Sequence, residues 1–413
     1  MSLYIESINI KNFRAIKELD VIFHPGVNLI IGNNGTGKTS VIEAIKVGLG
    51  TYMLGVVGQS TPGIRIADIR IESKTDNGIV YHTPTEVSGV ISFDGSQYEF
   101  SRNRKSEIAA SKTYSSVSGL TDTVSGYMNS VEKVFPVLYY RSDELKVSDK
   151  GDDRAYIDRR QGYYACLDGV CDRKEIESWC LAKELEAFQK EKVLEDYEAF
   201  KTFCSEFMGR MNEKDEMPEL YYSKTKKCMA YYEEGREYPI EYLSSGYRTV
   251  LWTIMDIAHR IAILNPQLRD YSQVGGVIVI DEIDAHLHPR WQWNVLSVLQ
   301  SMLPKVQFII ATHSPIVISS VRGISIIRMS DATDVEYLED AYAYTVGDVL
   351  EFRLGSGEIP ADLETMYQKF EHALNRGDIE EAKETYLLMK EEYGGGNTLV
   401  KNAAFEMDLT GEE

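Results

Sequence analysis

The chain has 413 residues, enough for two or three folding units at about 150 residues each. Hydrophobic residues make up 43% and charged residues 26%, and no apolar run approaches the roughly 20 residues of a membrane span. A net charge of -20, from 44 Lys plus Arg against 64 Asp plus Glu, argues against a general nucleic-acid binder, because phosphate contacts need clustered cations.

The opening segment has neither the basic stretch nor the apolar core of a signal peptide, so a cytoplasmic protein with no membrane association is expected. Its five cysteines are odd in number and lack CxxC spacing, which reads as reduced structural thiols. "LYIESINIKNFRAIKELDVIF" alternates apolar and polar residues around a break at Asn12-Phe13-Arg14, as two antiparallel strands would. "GVNLIIGNNGTGKTSVIEAI" then runs from an apolar strand through a Gly-rich loop into a helix, and residues 51–90 carry no clear period. "GVISFDGSQYEFSR" predicts a hairpin turning at Asp94-Gly95, and "VFPVLYY" a buried strand.

From about residue 145 to 235 the sequence is charged and helix-forming, and reads as an inserted helical arm. Core-like sequence returns with "LSSGYRTVLWTIMDIAHRIAIL", a helix following Leu-Ser-x-Gly. The strands "GGVIVIDE" and "VQFIIATHS" follow, separated by a helix with Pro289 in its first turn. Two helical stretches close the chain, and the acidic end "MDLTGEE" reads as a solvated terminus. The expected fold class is α/β, with four parts: an N-terminal lobe 1–143, a helical insertion 144–236, a C-terminal lobe 237–335 and a helical extension 336–413.

"GNNGTGKT", residues 32–39, is a complete GxxxxGK[ST] loop between strand and helix, the context that makes the motif specific. It predicts ATP bound by Asn33, Asn34, Gly35, Thr36, Gly37, Lys38, Thr39 and Ser40. Backbone N–H groups and the helix N-terminus meet the phosphates, Lys38 neutralises them, and Thr39 holds Mg²⁺. The strand "GVIVIDE" ends in Asp281, a second Mg²⁺ ligand, and Glu282, which orients or deprotonates the attacking water. His313, after the strand "FIIATHSP", is placed to contact the γ-phosphate or that water.

Other positions keep two readings each. Asp284 is either an interface-loop residue in subunit communication or a helix cap. His286 and His288 read as a structural pair beside the site or as two metal ligands, and Arg14 as a stacking partner for adenine or an ordinary surface arginine. No glutamine that senses the γ-phosphate can be placed; Arg141 and Asp143, where the arm begins, are the candidates for that role.

In this order the motifs resemble the ATP-binding-cassette ATPases of the structural-maintenance-of-chromosomes, RecF and OLD type. More narrowly, "NIKNFRAI", "GYYACL" ahead of "IESWCL", "LSSGYRTVLWTIMDIAHRIAILNP" and "VIVIDEIDAHLHPRWQ" make the chain similar to the AAA-family ATPase subunits of Septu and certain retron anti-phage systems. The resemblance implies an ABC/RecF-like P-loop head, with ATP held between two heads as a homodimer inside a larger assembly. Ser244 and Gly246 of one subunit would complete the site of the other, while Ser245 and Tyr247 depart from the commonest signature and point to slow turnover. No Toprim, HNH or PD-(D/E)xK pattern is evident, so a partner effector nuclease, HNH-type in the Septu-like reading, is expected, with any nucleic-acid contact made in that complex. The alternatives are a RecF-like or SMC-like repair ATPase that clamps DNA, and a nucleotide-bound scaffold with little turnover.

Overall fold

The computed structural model describes residues 3–73, 78–142, 146–148, 158–213, 217–354, 361–395 and 397–409. It divides into two compact units, residues 1–346 and 347–413. Among the described residues no helix is long and apolar enough to cross a membrane.

The first unit is built on two sheets. A six-stranded sheet has the order Val335–Leu338, Ser325–Met329, Val27–Ile31, Lys305–Ala311, Gly275–Ile280 and Val137–Arg141. It is parallel except at its first pair, and its central strands are buried on both faces, which is why they read as unbroken apolar runs. Its outermost strand, Val335–Leu338, extends beyond residue 335, where the expected lobe ended. The second sheet is antiparallel, in the order Ile16–Ile22, Leu3–Phe13, Thr85–Phe93, Ser96–Arg104 and Tyr114–Val117. The predicted turn at Asp94-Gly95 is present, with φ of 51° and 80°, the left-handed pair a two-residue hairpin requires.

Helix Lys38–Met53 packs into the main core with residues of both sheets, including Ile8, Val87, Phe100, Ile309 and Ile327. It is buried nearly all round, which fits its weakly amphipathic sequence. That burial anchors the Gly-rich loop at its N-terminus to the core.

The segment expected to be a helical arm contains helices Arg173–Lys190 and Glu195–Asn212 and, after them, a three-stranded antiparallel sheet, Glu219–Ser223, Cys228–Glu233 and Arg236–Pro239. Its Tyr-rich runs favour strands, and Glu234-Gly235 supplies φ values of 51° and 78° for the second turn. All five cysteines are free thiols, four of them buried.

Among the described residues of the second unit, after short helical turns at Val346–Val349 and Leu350–Leu354, the helices Ala361–Asn375, Ile379–Tyr393 and Thr398–Leu409 surround Leu363, Phe370, Ala382, Met389, Val400 and Met407. The third helix was not expected; its Leu399, Val400, Ala403 and Met407 recur at helical spacing and face that core, so Met407, the first residue of the end read as solvated, is buried, while residues 410–413 lie outside the described residues.

Candidate functional site

The phosphate loop leaves the buried strand Val27–Ile31 at Gly32, whose φ is 145°. A Cβ there would lie 2.3 Å from the carbonyl oxygen of Met329, so the turn admits only glycine. Gly37, at φ 101°, is the residue before the helix, and Thr36 closes the loop by donating from Oγ1 to the Asn33 carbonyl at 3.0 Å. Lys38 is only 6% exposed, and its Nζ donates to the carbonyls of Gly32 and Asn33, each at 2.9 Å. The ammonium is thus folded over the loop. Burial pushes its pKa down, and Asp281, Glu282 and Asp284 work against that shift. Asn33, Asn34, Gly35 and Thr39 are exposed at the loop, whereas Ser40 is buried.

Asp281 follows strand Gly275–Ile280, is 2% exposed, and donates its backbone N–H to the Arg141 carbonyl at 2.9 Å. Glu282 is half-buried with φ of 53°, an uncommon conformation for a glutamate and a sign that the turn holding it is over-determined. Asp284 accepts from the Thr312 hydroxyl, and the Ser314 backbone N–H donates to the same hydroxyl at 3.0 Å. Ser314 in turn donates to Gln292 Oε1 at 2.7 Å. His313 therefore sits in a loop pinned on both sides. Burial, and then Lys38, push its imidazole pKa down, with Asp284 and Glu282 opposing, so it is neutral at neutral pH.

The structure thus brings Lys38, Asp281, Glu282, Asp284 and His313 to one place from three separate strand ends. Thr39 and Asp281 offer a hydroxyl and a carboxylate, the hard oxygen donors Mg²⁺ prefers. An exposed Gly-rich loop beside a buried ammonium suits a polyphosphate.

Ser244 is exposed at the cap of helix Ser245–Leu264 and makes no side-chain capping bond. Among the described residues no hydrogen bond or ion pair joins it to the Lys38 cluster. Gly246 abuts the loop after Asp284: a Cβ on it would lie 2.4 Å from the His286 carbonyl oxygen.

Arg14 is engaged elsewhere, with Nε donating to Asp68 at 2.9 Å and an ion pair to Glu43 at 3.3 Å. Burial opposes ionisation of Glu43, yet Lys46, Arg14 and the Tyr140 hydroxyl together hold its carboxyl below the ordinary range. His288 caps helix Pro289–Met302, its Nδ1 accepting from the Arg290 N–H, and His286 is exposed. Among the described residues no group of three or more His, Cys, Asp or Glu is arranged to hold a metal.

Arg141 is 3% exposed, lies among Phe207, Val250, Ile254, Ile280 and Ile283, and feels Asp284 electrostatically. Asp143 lies outside the described residues. Sequence reasoning gave no role to Thr312 or Gln292. Thr312 stands inside the recognised "ATHSP", so its hydroxyl beside His313 was the available signal.

The family described as "AAA domain" matches residues 7–224, and that described as "AAA ATPase domain" matches residues 170–318. The chain is 27% identical over 352 residues to the Retron Vc95 probable ATPase of Vibrio cholerae serotype O1 biovar El Tor, covering 71% of this chain and 66% of that protein. It is 24% identical over 406 residues to the Septu protein PtuA of Bacillus thuringiensis, covering 93% of this chain and 92% of that one. Among solved structures, the SMC head domain from Thermotoga maritima aligns with a TM-score of 0.46 at 16% identity, over 82% of this chain and 100% of that chain.

Proposed function

The chain belongs to the AAA-domain family, and on that premise we propose that it is an ATP-hydrolysing switch that pairs through ATP and controls a partner effector nuclease in bacterial anti-phage defence. The observation that carries the ATPase reading is the convergence of Lys38, Asp281, Glu282, Asp284 and His313 beside the GNNGTGKT loop. The defence reading is supported by similarity to the retron probable ATPase and the Septu protein.

In this reading the loop N–H groups and those of Thr39 and Ser40 receive the phosphates, and Lys38 exchanges its bonds to the Gly32 and Asn33 carbonyls for phosphate oxygens. Thr39 and Asp281 would hold Mg²⁺, which when bound would supply positive charge to offset that of the phosphates. Glu282, beside the buried Asp281, takes the proton of the attacking water or fixes its direction. The neutral His313 donates to the γ-phosphate or to that water, its loop held by Thr312 and Ser314. Ser244 and the first-turn N–H groups behind Gly246 meet the ATP of a second copy, and Asp284 lies where the two copies communicate. Arg14 would meet the adenine through the plane of its guanidinium, since its edge is committed to Asp68 and Glu43.

The test is co-purification of the chain with an HNH-type nuclease encoded beside it, followed by DNA cleavage assays with ATP and with ADP. Cleavage that changes with the nucleotide supports the switch. A nuclease that neither binds nor responds removes the effector reading and leaves an ATPase of another pathway.

A further inference from the structure

Tyr247 departs from the commonest signature pattern, and it also ties this turn to its surroundings. Its hydroxyl donates to Asn212 Oδ1 at 2.6 Å, and its ring centroid lies 4.0 Å from that of Trp291 at an interplanar angle of 42°. Asn212 ends helix Glu195–Asn212 of the inserted segment and is only 9% exposed; its amide donates to the Tyr231 hydroxyl at 3.4 Å, on the middle strand of the inserted sheet. The next residue, Glu213, accepts from Arg290 at 3.0 Å and from Asn294 at 2.8 Å. Both belong, like Trp291, to helix Pro289–Met302, which follows the Asp281-Glu282 turn. One phenol therefore joins the first turn of the signature helix, the inserted segment and the helix leading away from the catalytic carboxylates.

The position of this junction matters because of what holds the rest of the helix. From Val250 to Leu264 every residue is buried, which fixes the helix body. The first turn has no such face, and Ser244 supplies no side-chain cap. That turn is held by the approach of Gly246 to the His286 carbonyl, the grip of Tyr247 on Asn212 and Trp291, and the Arg248 guanidinium, which donates to the Glu241 carbonyl at 3.1 Å. A glutamine at 247 would keep a hydrogen-bonding end but lose the ring against Trp291.

We propose that Tyr247 is a positioning residue that couples the inserted segment, through Asn212, to the signature turn, so that the seating of the insertion sets how Ser244 meets the ATP of a second copy. This rests on the reading of Ser244 and Gly246 as a contact made in trans. The experiment uses the full chain in a Glu282→Gln background with ATP and Mg²⁺. Dimer association is measured by sedimentation velocity, monomer affinity with a fluorescent ATP analogue, and stability by thermal melting.

Tyr247→Phe and Asn212→Leu should each weaken ATP-dependent association about tenfold, the scale of one well-buried hydrogen bond, with monomer nucleotide affinity unchanged. The double variant should be no weaker than Asn212→Leu alone, because the Tyr247 hydroxyl has only that contact left to lose. Asn212→Gln keeps both the acceptor for Tyr247 and the donor for Tyr231 and should retain most of the parental association, and its contrast with Asn212→Leu decides the matter if Tyr247→Phe does not fold. Variants that melt lower yet associate normally, or singles whose effects add, overturn the coupling and leave a structural contact. Failure of the Glu282→Gln parent to pair with ATP is a separate result: it removes the trans reading itself, and this proposal with it.

Discussion

Replacing Gly246 by alanine sets two effects of opposite sign against each other. In a helix, alanine is favoured over glycine by up to about 1 kcal/mol, so the change should stabilise the protein if nothing stands near the new methyl group. Here a Cβ would lie 2.4 Å from the His286 carbonyl oxygen and 3.4 Å from its carbon, while an ordinary carbon–oxygen contact is about 3.3 Å or more. One side must retreat by roughly 1 Å. The His286 loop is poorly placed to do so, because His286 is already at φ 66°, Leu287 N–H is bonded to the Asp284 carbonyl at 3.0 Å, and His288 caps the next helix. Overpacking of this kind costs about 1–3 kcal/mol, and against a backbone contact as short as 2.4 Å the upper half of that range applies, which leaves a net loss of about 1–2 kcal/mol after the propensity gain. Thermal melting of the full chain should fall by on the order of 2 °C, and ATP-dependent pairing should weaken as the first turn is displaced from its seat. A variant that melts at or above the parent temperature would refute the contact and the placement of the turn drawn from it.

Removing the Lys38 ammonium with Lys38→Met should leave the fold intact and lower ATP affinity about 10- to 100-fold, read by titration of a fluorescent nucleotide; unchanged affinity would detach Lys38 from the phosphates. Ser244→Arg, at an exposed position, should abolish ATP-dependent pairing in sedimentation while monomer nucleotide affinity stays the same. Burial pushes the His259 imidazole down to about 3, against about 6.5 for an unfolded histidine. Its depressed pKa means that the unfolded chain alone takes up the proton between those values. Stability is therefore fully present above about pH 6.5 and falls as the pH drops toward 3, by on the order of 1 kcal/mol per unit. His259→Phe, which keeps an aromatic edge against Trp179, should flatten that loss when melts at pH 7 and pH 5 are compared; an unaltered slope assigns the acid sensitivity to other groups.

The readable parts of the sequence are those whose chemistry is local. Residues 32–39 declare a phosphate loop because its glycines, lysine and threonine act within eight consecutive positions between a strand and a helix. The turn at Asp94-Gly95 was legible for the same reason, and so was Pro289 at the head of its helix. Contacts between distant segments were not legible. Arg14 is held by Asp68, 54 residues away, and Tyr247 by Asn212, 35 residues upstream, so neither role could be read from its neighbours. The inserted sheet was missed although "ELYYS" and "CMAYYE" carried the aromatic signal of strands, because the two preceding helices set the apparent character of the whole stretch. In the sequence Ser245 and Tyr247 are only departures from the commonest signature; in the structure Ser245 is exposed and Tyr247 is a built contact.

The most direct measurement is single-turnover ATP hydrolysis by the purified chain and its Glu282→Gln variant, together with their sedimentation in ATP and Mg²⁺. Loss of a general base should cut hydrolysis by at least about 100-fold while ATP remains bound and the dimer becomes more stable. Hydrolysis undiminished by the substitution, or a variant that holds ATP without pairing, would contradict the account.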